Sequence, residues 1–159
     1  MAFGATSLPP LPDFQEGGKM IPIERLRNVE IFRGLKDEEL AIAARFCQEE
    51  SVPEGVSLCE EGTRADKLFI LEEGAISIRF EKGANYTIRV PGKILGWSFL
   101  VPPNRYTASV VTIAPSRLLV IKSPDFYDLV HKEAKMGLKI MDNLAQVVSS
   151  RLKAFVDYH

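Results

Sequence analysis

Apolar residues recur along this chain with two different periods, and the change of period divides it into stretches of different structure. Leu26, Val29 and Ile31 lie at helical spacing ahead of Gly34. Lys36 to Cys47 then sets Leu40, Ile42, Ala43 and Phe46 on a second helical repeat, with Asp37, Glu38 and Glu39 in the first turn, where a helix dipole favours acids. From about residue 50 the period drops to two. Ile76, Ile78 and Phe80 alternate with Ser77 and Arg79, and Tyr86, Ile88 and Val90 alternate with Thr87 and Arg89, as half-buried strands do. The segment 81–85 between them reads as a glycine-bearing hairpin connection, and Gly55, Gly62, Gly74 and Gly92 punctuate the neighbouring segments. Thr107 to Ile113 and Leu118 to Lys122 add two β-rich runs. Seven or eight short strands at this spacing predict a sandwich, jelly roll or barrel rather than a βαβ sheet.

Helix returns at Ser123, read as an N-cap with Pro124 at the first helical position and Asp125 behind it. A second helix follows, in which Ala134, Leu138, Met141, Ala145, Val148, Leu152 and Phe155 recur at alternating steps of four and three, an apolar heptad seam. Ile140, Leu144 and Val147 form a separate stripe on another side. A helix apolar on two sides has one face for its own core and one for a partner, so homodimerisation through the seam is expected, with both stripes being core as the alternative. Residues 1–22 hold four of the ten prolines and the pair Gly17-Gly18, and are expected to be a flexible leader. The expected organisation is thus a leader over 1–22, a β-roll with N-terminal helices over 23–132, and a lid or dimerisation helix over 133–159.

Composition narrows the functional classes. A chain of 159 residues is one domain, and at this size about 70% of the unfolded surface is buried on folding, so no disulfide staple is needed. Cys47 and Cys59 form no C-x-x-C motif and read as buried small residues. Twenty Lys+Arg against 21 Asp+Glu leave no basic stripe for nucleic acid. Apolar runs fall far short of the ~20 residues that span a bilayer, and no basic-flanked signal segment opens the chain, so a soluble cytoplasmic protein is expected. His131 and His159 both follow the strands, which argues against a metal centre in the roll. No nucleophile elbow, P-loop or Cys/His constellation is present, so no enzyme activity and no catalytic residue are expected. The carboxylate pairs Glu49-Glu50, Glu60-Glu61 and Glu72-Glu73 read as solvated turns and strand ends.

Several strings carry a family likeness. Phe32-Arg33-Gly34-Leu35 before an acidic helix start, Pro53-Glu54-Gly55, Glu61-Gly62, and Leu68-Phe69-Ile70-Leu71 running into Gly74 together resemble the cyclic-nucleotide-binding domain of the catabolite activator protein family. The resemblance implies a mainly β fold with flanking helices: a double-stranded β-helix, or jelly roll, closed by a long C-terminal helix. It also implies a phosphate-binding cassette, in which a Gly-Glu opens a short helix and an Arg before Ser or Thr and Ala stands on the next strand. The matching positions here are Gly96-Trp97-Ser98-Phe99 and Tyr106-Thr107-Ala108. Trp97 and Tyr106 thus replace the acid that accepts from the ribose and the base that pairs the phosphate. Each lost hydrogen bond to a charged group is worth about 1.5–3 kcal/mol, so a micromolar cyclic-nucleotide site becomes roughly millimolar.

Three readings of the pocket follow: a non-standard small anionic or planar ligand, a ligand-free roll filled by Trp97 and Tyr106, or a cyclic AMP or cyclic GMP receptor with an atypical cassette. The candidate ligand-binding residues are Gly96, Trp97, Ser98, Phe99, Tyr106, Thr107, Ala108 and Arg89, the last as a replacement cation. No bound cofactor beyond such a ligand is expected. DNA-binding relatives continue into a helix-turn-helix domain that this chain is expected to lack, so its output is expected to pass to a homodimer or a downstream protein partner, with no direct contact to DNA or membrane.

Overall fold

Eight strands among the described residues form two antiparallel four-stranded sheets. They are β1 (Gln48–Val52), β2 (Ser57–Cys59), β3 (Lys67–Glu73), β4 (Ile76–Arg79), β5 (Asn85–Ile88), β6 (Ile94–Leu95), β7 (Ser109–Thr112) and β8 (Ser116–Lys122). One sheet has the order β1-β8-β3-β6 and the other β2-β7-β4-β5. The computed structural model describes residues 20–83 and 85–158, with the side chains of 154–158 left aside. The leader up to residue 19, and the contacts of Phe155, therefore lie outside the described residues. Ile21, placed in the leader by its proline-rich surroundings, is buried in the core.

The central strands explain themselves. Leu68 to Leu71 on β3 and Leu118 to Ile121 on β8 are continuous buried runs, and β3 pairs β8 in register Phe69 to Val120 and Leu71 to Leu118. Strands buried on both faces lose the alternation that marks half-buried ones. In the other sheet Ile76 faces Ile88 and Ile78 faces Tyr86 across the hairpin to β5; β5 alternates in burial, whereas on β4 the expected alternation is broken because Ser77 is buried beside Ile76. Val90 lies beyond the end of β5 and is exposed, so the alternating pattern overran the strand.

Helices cover the first sheet. The expected N-terminal helix is two 3-10 turns, Ile23–Arg25 and Glu30–Phe32, followed by α1 (Asp37–Ala44). After β8 come α2 (Ser123–Lys132) and α3 (Ala134–Tyr158). The cap of α2 is Lys122, one residue before the expected Ser123, and Pro124 stands in its first turn. Met136, Ile140, Leu144 and Val147 of α3 are buried, while Leu138, Met141, Ala145 and Leu152 are exposed. Ile140, Leu144 and Val147 thus face inward and Leu138, Met141, Ala145 and Leu152 outward, whereas Val148 of the expected seam is half-buried against the core.

One expectation about charge needs correction. Glu72 is not a solvated strand-end acid: its side chain is 9% exposed, clamped between Arg25 and Arg117, which ties the N-terminal turn to β3 and β8. Glu49 also pairs with Arg25, and Glu73 with Arg117. The acids of adjacent strand positions do point apart, but bases distant in sequence reach them.

Candidate functional site

Where β6 ends, the chain crosses β3 and needs a glycine. Gly96 has φ +93°, and a Cβ built there meets the Lys67 carbonyl at 2.8 Å. This turn starts the 3-10 helix Trp97–Leu100. It is four residues long, too short to sum a helix dipole for holding an anion. Between it and the C-terminal helix lies a cavity of about 300 Å³.

The walls of the cavity are mostly apolar. Ile78, Phe80 and Tyr86 line it from the β4–β5 hairpin, Cys59 and Val110 from β2 and β7 of the same sheet with Ala108 just before β7, and Leu95 and Trp97 from the end of β6 and the short helix. Gly96, Ser98, Tyr106 and Thr107 also line it, so six of the eight candidate ligand residues converge on one space. The other two do not. Phe99 turns under the short helix and meets Phe126 and Tyr127 of α2 edge-on, at centroid distances of 5.6 and 6.1 Å. Arg89 is exposed just after β5 and is not part of the lining, so it is not the replacement cation.

Tyr106 occupies its place through a closed set of hydrogen bonds. Its hydroxyl accepts from the Lys67 N–H at 3.0 Å and donates to the Lys67 carbonyl at 3.0 Å, with the Asp66 N–H at 3.3 Å. Burial pushes this phenol up to about 12. Tyr106 lines the cavity, while its hydroxyl is spent on the backbone of β3. Arg105, one position earlier, is exposed and donates to the Gly62 carbonyl at 2.8 Å. It points away from the cavity, as a one-residue offset on extended chain requires.

The cation that does reach the cavity comes from the C-terminal helix. Arg151 lines it with a side chain 15% exposed, its guanidinium carbon 5.4 Å from the centre of the Trp97 ring. On its other side it donates to Glu30 at 2.8 Å. Glu30 is 7% exposed, accepts from the Ile94 N–H at 2.7 Å and lies 3.6 Å from the Lys93 ammonium. Sequence reading missed both residues, because partners 121 positions apart leave no local signature. Val148 and Leu152, assigned by their spacing to a dimer seam, also line the cavity. The helix therefore serves as lid and exposed stripe within the same two turns.

Cys47 and Cys59 are both buried, unpaired in any disulfide, with their thiols pushed up to about 12 chiefly by burial, which removes them as nucleophiles. Among the described residues no group of three or more His, Cys, Asp or Glu is placed to hold a metal ion. Nor is any helix among them long and apolar enough to cross a membrane. His131 lies in the last turn of α2, its Nδ1 2.8 Å from the Tyr127 carbonyl.

Comparison with known proteins agrees with this geometry. Residues 49–133 match the family profile described as cyclic nucleotide-binding domain. A solved protein of Geobacter metallireducens GS-15 assigned to cyclic nucleotide binding is 33% identical, with a TM-score of 0.72 over 84% of this chain and 99% of its own. The cyclic AMP receptor protein of Thermus thermophilus is 24% identical over 127 residues, 77% of this chain and 57% of that protein. Glutaminase 2 of Bradyrhizobium diazoefficiens is 27% identical over 120 residues, 76% of this chain but 19% of the enzyme. The chain thus spans about a fifth of one curated relative and little more than half of the other.

Proposed function

Since the chain belongs to the cyclic nucleotide-binding domain family, we propose that it is a regulatory sensor domain whose ligand is a small anionic or planar molecule other than cyclic AMP or cyclic GMP. It acts in the cytoplasm and signals through α3. The observation that carries this reading is the cavity beneath α3, open at about 300 Å³ although both charged cassette positions are aromatic. The open volume favours sensing over a self-filled scaffold, since Tyr106 folds its hydroxyl back onto β3 and Trp97 stands along one wall. That volume lies at the lower end of the ~300–1,000 Å³ range of small-molecule sites.

Two contacts couple the cavity to the helices. Trp97 meets Arg151 of α3 directly, and Phe99 meets Phe126 and Tyr127 of α2, which packs against α3. The route through Phe99 therefore runs by way of α2, not straight to Ile140, Leu144 and Val147. A ligand that binds one arrangement of α3 better shifts the population toward it. The output surface is the exposed stripe Leu138, Met141, Ala145 and Leu152, whose heptad spacing suits a second copy of the same helix in a homodimer, with a downstream protein partner reading the change. Nothing in this mechanism requires DNA, a membrane or catalysis.

The test is a thermal-shift screen of nucleotides, cyclic dinucleotides and small metabolites, read together with the emission of Trp97, the sole tryptophan. A compound outside the cyclic mononucleotides that raises the melting temperature and shifts the emission is expected. Silence across the library in both signals overturns sensing and leaves the scaffold reading.

A further inference from the structure

We infer that the ligand of this cavity belongs to the small aryl or alkyl carboxylates, a mainly apolar monoanion whose charge is held by Arg151 of the C-terminal helix and not by the cassette. The inference rests on the cavity being a ligand site, as proposed above.

Among the described residues the lining contains one charged side chain, Arg151, and no acid. A cationic ligand would be buried there without a counter-charge, which costs several kcal/mol. A dianion would require a second cation at the walls. One guanidinium matches one negative charge, and its planar fork matches a carboxylate with two parallel N–H donors. The remainder of the ligand faces Ile78, Tyr86, Leu95, Trp97 and Val110. These surfaces reward an apolar or aromatic body, and the side-chain polar groups at the walls, chiefly Ser98, Thr107 and Tyr86, are few against a row of sugar hydroxyls that would lose their water.

Arg151 is also poised to exchange partners. It makes a single ion pair among the described residues, to Glu30. Glu30 keeps the Ile94 N–H and the Lys93 ammonium when that bond is given up, so releasing Arg151 does not strand a buried carboxylate. A ligand carboxylate therefore competes with Glu30 for the guanidinium, and its charge sits toward α3. This is the reverse of an anion seated against the segment that bears Tyr106.

The test is titration calorimetry with trans-cinnamate and its neutral isostere cinnamamide on the wild-type chain, Arg151→Gln and Glu30→Gln. Wild type is expected to bind the carboxylate about tenfold or more tighter than the amide, the range for one hydrogen bond to a charged group. Arg151→Gln is expected to bring cinnamate down to the level of cinnamamide. Glu30→Gln removes the internal competitor and is expected to tighten cinnamate alone. It carries the test by itself if Arg151→Gln does not fold. Equal binding of the two compounds by wild type, or a preference that survives Arg151→Gln, overturns the carboxylate assignment and leaves the cavity as a ligand site. Failure of both compounds to bind also overturns it, while the metabolite screen still decides whether the domain senses anything.

Discussion

Tyr106 closes its hydroxyl on both backbone groups of Lys67, accepting from the N–H and donating to the carbonyl, each at 3.0 Å. In the family resemblance this position holds a base that reaches for phosphate. Here the side chain turns that reach inward and fastens the segment ahead of β7 to β3.

Removing the hydroxyl therefore costs stability without opening the site. Tyr106→Phe is expected to lose about 1–3 kcal/mol in urea unfolding, the cost of leaving partly buried backbone groups unpaired. Its affinity for any cavity ligand is expected to stay within about twofold, because the ring remains. A large loss of affinity at unchanged stability would mean that the hydroxyl contacts ligand.

The fold was legible because its strongest signals are local. Period-two alternation at Ile76, Ile78, Tyr86 and Ile88, glycines at the turns, and the split stripes of α3 are all read over fewer than 30 residues, and each matches an observed element. The cassette positions were legible by their strings, and Gly96, Trp97, Ser98, Tyr106, Thr107 and Ala108 do share one cavity. What stayed hidden is long-range. Glu72 looked like half of a solvated pair until Arg25 and Arg117 closed on it, and Glu30 and Arg151 meet only after the whole roll has been wound between them. Phe99 and Arg89 sit beside lining residues in sequence, and direction along a turn is not encoded by adjacency.

The buried thiols predict an alkaline limit to stability. Burial holds Cys47 and Cys59 neutral to about pH 12 in the folded chain, whereas unfolded cysteine ionises near pH 8.5. Above that value the unfolded state binds fewer protons than the folded one, so stability falls as pH rises from about 8.5 toward 12. Below it these groups contribute no slope. Urea midpoints across this range should fall for wild type and fall less for Cys47→Ala with Cys59→Ala. Equal slopes would assign the alkaline loss to other groups. In the folded chain both thiols should resist an aromatic disulfide reagent and react only on unfolding.

The exposed stripe of α3 predicts a dimer that can be split without touching the core. Leu138 is 64% exposed and Met141 38%. Leu138→Glu with Met141→Glu leaves Ile140, Leu144, Val147 and the cavity residues Val148 and Leu152 intact. Light scattering is expected to give twice the 17.7 kDa chain mass for wild type and one chain mass for the variant, with unchanged circular dichroism. A monomeric wild type, or a variant that stays dimeric, assigns the stripe to a different partner.

The most direct check on the central claim, that two aromatics have replaced the grip on a cyclic nucleotide, is calorimetric titration of the purified chain with cyclic AMP and cyclic GMP. With the two charged hydrogen bonds gone, no saturable heat is expected below about 1 mM. Stoichiometric binding of either nucleotide at micromolar concentration would contradict it.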